Sequence, residues 1–293
     1  MKTNLLFWIA VVSVATLWAD RPLAGEAQKP AETFTLRYRF QPGETIRWEV
    51  SHRNKVRTTV SGVTQLAESA SDSVKVWRVE EVKPDGSAVF SYSVEHVRMR
   101  QILSGREEVQ FDSDSDTEAP IGFEQVAAAV GKPISIVTLN NRGEVLNRKR
   151  ELQTTPVENQ GDITLPLPEK PIAVGDQWSQ PHEVQVRTEA GGMKAIRTRQ
   201  RFTLESIRHG VATIHVQTTV LTPIDDPAIE AQLTQCAASG EVRFDLEAGR
   251  VLSQQMDTDK RVVGFRGEAS SLHYQTRFAE KLLPNDVRTA RVP

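Results

Sequence analysis

Apolar and polar residues alternate along much of the chain, beginning near residue 33. In the first such stretch Phe34, Leu36, Tyr38 and Phe40 are separated by threonine and arginine. A period of two is that of a β-strand with one face buried and the other in water. The same period recurs at Ile46, Trp48, Val50; at Ala88, Phe90, Tyr92, Val94; at Ala212, Ile214, Val216; and at Leu272, Tyr274, Thr276, Phe278. The pattern predicts a mainly β protein built from antiparallel sheets.

Several of these strands occur twice in the same order. A glycine, an acidic residue and a tryptophan mark a strand start at Gly43-Glu44 with Trp48, and again at Gly175-Asp176 with Trp178. Further along, a hairpin is repeated with matching spacing within each of its two strands, and its matching positions are Trp77, Val79, Val82, Ala88, Phe90 and Tyr92 in one copy and Phe202, Leu204, Ile207, Ala212, Ile214 and Val216 in the other. Repetition on this scale predicts an internal duplication.

A third block follows in each half. A helical stretch, 123–130 in the first half and 228–237 in the second, leads into a hairpin whose return strand begins with Gly143-Glu144-Val145-Leu146 or Gly249-Arg250-Val251-Leu252. We therefore predict a first β repeat unit at 33–155 and a second at 172–283, joined by a Pro-rich connector at 156–171.

Neither unit has enough layers to bury its own apolar face, so we expect one body. The predicted fold consists of antiparallel curved sheets that form a partly open barrel or a sandwich, with one or two short helices. We expect at least one helix to lie over the concave face with aromatic side chains beneath it.

The N-terminal end of the chain predicts export. Lys2 precedes an apolar run from Leu5 to Leu17, which is typical of a signal peptide at 1–19, with cleavage after Ala19 or, alternatively, Ala24. Thirteen helical residues cover roughly 20 Å, less than the roughly 30 Å of a membrane core. We expect a flexible linker at 20–32, a C-terminal tail at 284–293, no transmembrane span in the mature chain, and a periplasmic or extracellular location.

Composition narrows the choice of partner. The 36 basic and 38 acidic side chains nearly balance, which argues against nucleic acid. Cys236 is the one cysteine, so no intrachain disulfide forms, and we expect it to be a small buried hydrophobe.

No motif predicts a catalytic residue, a cofactor or a metal. The acidic run at 112–116 resembles the start of a calcium loop, but Thr117 and Phe123 stand where that loop needs glycine and glutamate. The six histidines are scattered without metal-ligand spacing. Catalytic carboxylate pairs have no signature in a single sequence, because a distance defines them.

Three arginines, Arg197, Arg199 and Arg201, alternate with other residues and so lie in a row on one sheet face. Such a row is able to bind an anion such as a phosphate or an anionic glycan. The alternative is a solvent-exposed strand face whose charge prevents edge pairing.

Large aromatic residues fall at inward positions of the predicted strands, and they are Trp48, Trp77, Phe90, Trp178 and Phe202. Ordinary core packing explains such residues. In an incompletely closed sheet they would instead line an apolar pocket.

With its Gly-acid-Trp strand starts and its Gly-x-Val-Leu return strands, the chain resembles an uncharacterised family of exported bacterial β-rich proteins with an internal duplication. It is more distantly similar in architecture to the lipoprotein-carrier half-barrels of the bacterial periplasm. These resemblances imply no functional residue. Our leading hypothesis is a non-catalytic cell-envelope protein that binds a lipid or another apolar or amphiphilic ligand on a concave sheet. The alternatives are an assembly component that contacts an envelope protein, and a hydrolase with an unrecognised site.

Overall fold

The computed structural model describes residues 32–152 and 164–284. The predicted signal peptide, most of the linker, residues 153–163 and the tail beyond residue 284 lie outside the described residues. The strands are β1 (Thr33–Phe34), β2 (Thr45–Val60), β3 (Val63–Val82), β4 (Ala88–Leu103), β5 (Val109–Asp112), β6 (Pro133–Leu139), β7 (Val145–Arg150), β8 (Ile172–Ala173), β9 (Gln177–Arg187), β10 (Met193–Arg208), β11 (Val211–Val220), β12 (Ser239–Asp245), β13 (Arg250–Val263) and β14 (Ser271–Leu282). The helices are α1 (Glu124–Ala129) and α2 (Pro227–Leu233), and a 3-10 turn (Thr234–Cys236) follows α2.

Twelve strands form one antiparallel sheet. Its order is β7-β6-β4-β3-β2-β14-β13-β12-β11-β10-β9, and β5 pairs with β4 beside this path. The short strands β1 and β8 pair separately. Because β7 and β9 end the order without pairing with each other, the sheet is open, and the predicted mainly β class with antiparallel curved sheets is confirmed.

Two tight hairpins have the turn chemistry that their sequences predict. Ser61 and Gly62 join β2 to β3 with φ values of 50° and 80°, and His209 and Gly210 join β10 to β11 with φ values of 50° and 76°. Two consecutive positive φ values define the type I′ turn, whose twist matches that of the flanking strands.

The two halves of the chain share their element order and several details of pairing. Trp77 faces Tyr92 in the first half, as Phe202 faces Val216 in the second, and a β-bulge follows Val79 and Leu204 alike. Gly43 N donates to Val79 O at 3.0 Å, as Gly175 N donates to Leu204 O at 2.8 Å. The duplication itself stays a prediction.

We call the sheet face that carries Trp48, Trp77 and Phe202 the inner face. Two extended segments, 36–40 and 164–168, lie over it and bury Leu36, Tyr38, Leu165 and Leu167. Tyr38 N donates to Asn141 O at 2.8 Å, and Leu167 N donates to Arg142 O at 2.8 Å. Part of the predicted Pro-rich connector is therefore a buried portion of the core.

Both helices pack on the inner face. Around α1, Phe111 of β5 and Val97 of β4 are buried with Phe123. In α2, Ile229 and Leu233 are buried against Val186 and Ile196, which are aliphatic. An aromatic side chain therefore lies beneath α1, as expected, and the residues beneath α2 are aliphatic.

The position of α2 shows how strongly the sheet bends. This helix contacts both β9 and β13, although three strands lie between them in the sheet. In a flat sheet these strands would be about 19 Å apart at about 4.8 Å for each step, whereas a helix with its side chains is only about 10–12 Å wide. The sheet therefore curves around α2, and its inner face is concave there.

Candidate functional site

The five aromatic residues predicted to line a pocket lie in two packed clusters on the inner face. In the first cluster the rings of Trp77 and Phe90 stack at 4.3 Å, and Trp48 meets Trp77 edge-on at 4.8 Å. In the second, Trp178 stacks on Phe202 at 5.3 Å. All except the half-buried Trp178 are buried. In this structure they act as core anchors, and their role in ligand binding stays a prediction.

A small polar cavity lies beside the first cluster. Its volume is about 20 Å³, room for about one water molecule. Trp48 and Trp77 border it together with Lys75, Glu280 and other residues, which are Tyr38, Thr164, Leu165, Val251 and Gln254. A cavity of this size excludes an apolar ligand such as a fatty acid.

The charged residues of this cavity form a buried ion pair between two strands. The Lys75 ammonium contacts the Glu280 carboxylate, and Gln254 Nε2 donates to Glu280 Oε2 at 2.5 Å. Lys75 Nζ also lies 4.6 Å from the centre of the Trp48 ring, within the range of a cation–π contact. Sequence reasoning missed this pair, although a charged residue at an inward position of an alternating strand is the signal for it.

The inner-face tyrosines have perturbed acidity. Burial, assisted by the charge of Glu280, raises the pKa of Tyr38 far above its usual range, although the hydrogen bond to Leu165 opposes the shift. Burial and Glu280 also raise the pKa of Tyr92. Both phenols are therefore neutral at physiological pH.

A partly open region remains on the inner face between the two helices. We call it the central strip and define it by His52, Val56, Ser71, Tyr274, Thr276 and Phe278, on β2, β3 and β14. His52 is exposed and the other five are half-buried. Phe278 pairs with His52, and His52 pairs with Ser71, so these three form one row across the sheet.

One side of this strip carries small side chains and the other carries aromatic ones. β3 presents Ser69, Ser71 and Ser73 at successive inward positions, whereas β14 presents Tyr274 and Phe278. Serine hydroxyls beside half-buried aromatic rings offer both apolar contact and hydrogen bonds, the combination typical of small-molecule sites. The central strip is therefore the candidate ligand site.

The outer face carries a larger groove of a different character. It has a volume of about 610 Å³ and crosses β4, β3, β2, β14 and β13 above Ala70. Its walls are mostly ion-paired: Arg53 with Asp72 at 2.8 Å, Lys55 with Glu68 at 2.8 Å, and Arg277 with Asp257 at 2.7 Å. Because its charges already neutralise one another, we regard the groove as a solvated, ion-paired surface.

The predicted arginine row lies on the outer face of β10. In the register of β10 with the edge strand β9, Arg197 lies opposite Glu183, Arg199 lies opposite Pro181, and Arg201 lies opposite Ser179. The structure thus places the three guanidinium groups on one face, as the alternation predicted, and away from the central strip.

One cluster that sequence spacing did not reveal has metal-ligating groups. A bulge in β4 places His96 beside the acidic run, where its Nδ1 lies 2.9 Å from Asp114 Oδ2, and ligand atoms of His96, Asp112 and Asp114 lie within 4.8 Å of one another. Hydrogen bonds from the Asp114 amide and from Arg98 lower the pKa of Asp112 and already occupy its carboxylate. Sequence reasoning missed this cluster because His96 is distant from the acidic run along the chain.

The lone cysteine lies near α2. Cys236 is half-buried and packs against the aliphatic cluster of that helix, so the expectation of a buried position is met only in part. Burial raises the pKa of its thiol, which keeps the thiol protonated and weakly nucleophilic.

None of the helices in the described part of the chain is both long and apolar enough to cross a membrane.

Comparisons with known proteins give only distant likenesses. No family model matches the sequence, and no curated protein matches it significantly. Among solved structures, the chain is similar to lipovitellin, studied for its lipid–protein interactions, with 12% identity and a TM-score of 0.41 over 83% of this chain and 25% of that one. It thus spans about a quarter of the lipovitellin chain.

Two further likenesses are weaker. DynF from the dynemicin biosynthesis pathway of Micromonospora chersina has 9% identity and a TM-score of 0.21, over 91% of this chain and 95% of that one. The translocator domain of the autotransporter NalP from Neisseria meningitidis has 8% identity and a TM-score of 0.21, over 82% of this chain and 89% of that one. Function has to be argued from the site itself.

Proposed function

We propose that this protein is an exported, non-catalytic binding protein that holds an amphiphilic ligand on the central strip. The observation that carries the proposal is the incomplete cover of Tyr274 and Phe278, which are half-buried on a sheet face whose other large aromatic residues are almost all packed away. An apolar chain laid on these rings would remove their remaining apolar surface from water, which is favourable in proportion to the area buried.

The strip also has polar groups for a ligand head. His52 Nε2 and Thr276 Oγ1 lie 2.9 Å apart, and Thr276 Oγ1 donates to Arg53 O at 3.0 Å. The hydroxyl of Ser71 lies in the same row as His52. A ligand with one apolar and one polar end fits this arrangement better than a purely apolar molecule, because hydrogen-bonding groups buried without partners are costly.

The proposal is tested by binding of an environment-sensitive apolar dye to the folded protein and its displacement by a lysophospholipid. Ser71→Leu replaces a small inward side chain of the strip with a larger one that would occupy the space proposed for the ligand, so we expect it to weaken dye binding about tenfold or more, the effect of losing about 1.4 kcal/mol. The matched control is Ser51→Leu, which makes the same change on the outer face of the neighbouring strand β2.

Two results would overturn the proposal. One is a wild-type protein that binds the dye without displacement by the lysophospholipid. The other is an equal loss of dye binding in Ser71→Leu and Ser51→Leu, since only the first changes the inner face.

A second candidate function is assembly through a partner protein. Val63 and Val263 are 65% and 64% exposed at the tips of the β2–β3 and β13–β14 hairpins, which end at the same side of the sheet. Exposed apolar residues at one end of a sheet favour a contact surface. If Val63→Ser with Val263→Ser removes dye binding and Ser71→Leu does not, the assembly role replaces the ligand role.

A further inference from the structure

The outer-face arginines of β10 form a row of three without an ion-pair partner in the described part of the chain, unlike Arg53, Arg98 and Arg277 on the same face. Within residues 32–152 and 164–284, no ion pair or side-chain hydrogen bond engages the guanidinium group of Arg197, Arg199 or Arg201. Arg53, Arg98 and Arg277, on the same face, are each paired with an aspartate at 2.7–2.8 Å. Three successive outward positions of β10 thus carry arginines without an ion-pair partner, whereas the charges of Arg53, Arg98 and Arg277 are neutralised.

The neighbours of the row are mostly uncharged. Arg199 lies between Pro181 and Thr219, and Arg201 lies between Ser179 and Gln217. The one carboxylate opposite the row, that of Glu183, accepts a hydrogen bond from Gln185 Nε2 at 2.9 Å. Like charges brought together without a counter-ion repel one another, and a bound anion would relieve that repulsion.

Arg199 has a second unusual feature. Its Nε atom is buried and has no hydrogen-bond partner, and the residue as a whole is half-buried. A buried N–H group without a partner is costly, and an anionic oxygen that reached it would supply the missing acceptor. A guanidinium group favours oxyanions because its donors form a planar fork that matches two oxygens.

The row has a direction and a spacing. Successive arginines lie two residues apart on one strand, so their Cα atoms are separated by roughly 6.8 Å and follow the line of β10. We propose that this row binds an extended acidic polysaccharide whose carboxylate or sulfate groups lie along β10. A chain-like ligand fits because it follows the line of the row and meets only the carboxylate of Glu183, opposite Arg197, while Glu241 lies two strands away on the same face. A flat membrane surface would meet both carboxylates.

The site lies on the face opposite the central strip. Polysaccharide binding and amphiphile binding are therefore independent proposals, and an experiment that rejects one does not reject the other.

The test uses the full-length protein and titration calorimetry with heparin and with polygalacturonate as polysaccharide probes. Replacing Arg197, Arg199 and Arg201 together by Gln should weaken binding of at least one probe about tenfold or more, because charge-assisted contacts are lost. The matched control replaces Arg53, Arg98 and Arg277 by Gln, which changes the net charge equally on the same face. That control should change the affinity less than about threefold, since only long-range attraction is altered.

Further measurements separate the outcomes. Circular dichroism is used to test whether each triple variant folds. If the β10 variant does not fold, Arg199→Gln alone should still weaken binding about threefold or more. The proposal is overturned if the wild type binds neither probe, if both triple variants lose affinity equally, or if it binds vesicles of anionic lipid or a single-stranded oligonucleotide more tightly than either polysaccharide.

Discussion

At the residue scale, the least ordinary feature is the ion pair of Lys75 and Glu280 on the inner face. The side chain of Glu280 is 3% exposed and that of Lys75 is 15% exposed, and two tryptophan rings lie against the ammonium group. Removing two charges from water is costly, and their attraction repays that cost only when both are present. The pair therefore fixes the relative position of β3 and β14 more than it adds stability.

We expect Glu280→Gln to lower the free energy of unfolding by about 3–5 kcal/mol, because it leaves a buried ammonium group without a counter-ion. Lys75→Met combined with Glu280→Met should be much less destabilising, since no charge remains buried. Urea unfolding measures both variants. The control is the more exposed pair of Lys55 and Glu68, where Glu68→Gln should have much less effect because solvent screens the charges. A double variant no more stable than Glu280→Gln would contradict this account.

The tyrosines predict how stability depends on alkaline pH. The chain has three, Tyr38, Tyr92 and Tyr274, and burial is the main cause that raises the pKa of each above its ordinary value of 10.0. Folded phenols keep their protons above pH 10, where unfolded phenols lose them. The stabilising contribution is thus complete below pH 10 and is lost as the pH rises above it.

Ultraviolet absorbance of tyrosinate during an alkaline titration tests this prediction. The signal should lag behind that of free tyrosine and then rise together with the loss of the β circular dichroism signal. Tyr38→Phe should reduce the loss of stability above pH 10. Ionisation of all three phenols near pH 10 with the fold intact would contradict the prediction.

At the element scale, much of the structure follows from the sequence. Alternation predicted the long strands because one face of the sheet is buried and the other meets water. Two elements were missed. The short strand β5 carries too few residues to show a period, and the burial of 164–168 depends on contacts with segments far away along the chain.

The contact between β12 and β13 makes a specific prediction about one glycine. A Cβ atom at Gly240 would lie 1.8 Å from the carbonyl oxygen of Gln255, so any side chain there forces the two strands apart. We expect Gly240→Ala to cost about 1–3 kcal/mol, as overpacking does. Thermal unfolding of Gly192→Ala is the control, because a Cβ atom there meets only Thr188 Oγ1 at an ordinary 3.5 Å. Equal melting temperatures for the two variants would contradict the close approach.

At the scale of the whole molecule, one open sheet is covered unevenly. Extended segments and aromatic clusters fill part of the inner face, the two helices cover the sides, and the central strip between them is only half covered. The sequence predicted curvature and inward aromatic residues, and it placed the candidate ligand site among the largest of them. In the structure those side chains pack against one another, and their role in ligand binding stays a prediction. The pairing registers of β2 with β3 and with β14 bring the small and the aromatic residues of the central strip together, which sequence alone could not show.

The most direct test of this account is photo-crosslinking of the folded protein with a lysophospholipid that carries a photoactivatable group in its acyl chain. We predict that peptide mapping finds the label on β14, at Tyr274 or Phe278, and on the neighbouring inner face of β3. We further predict that Ser71→Leu removes the label and Ser51→Leu retains it. Labelling confined to the hairpin tips at Val63 and Val263, or labelling that Ser71→Leu leaves unchanged, would contradict binding on the central strip.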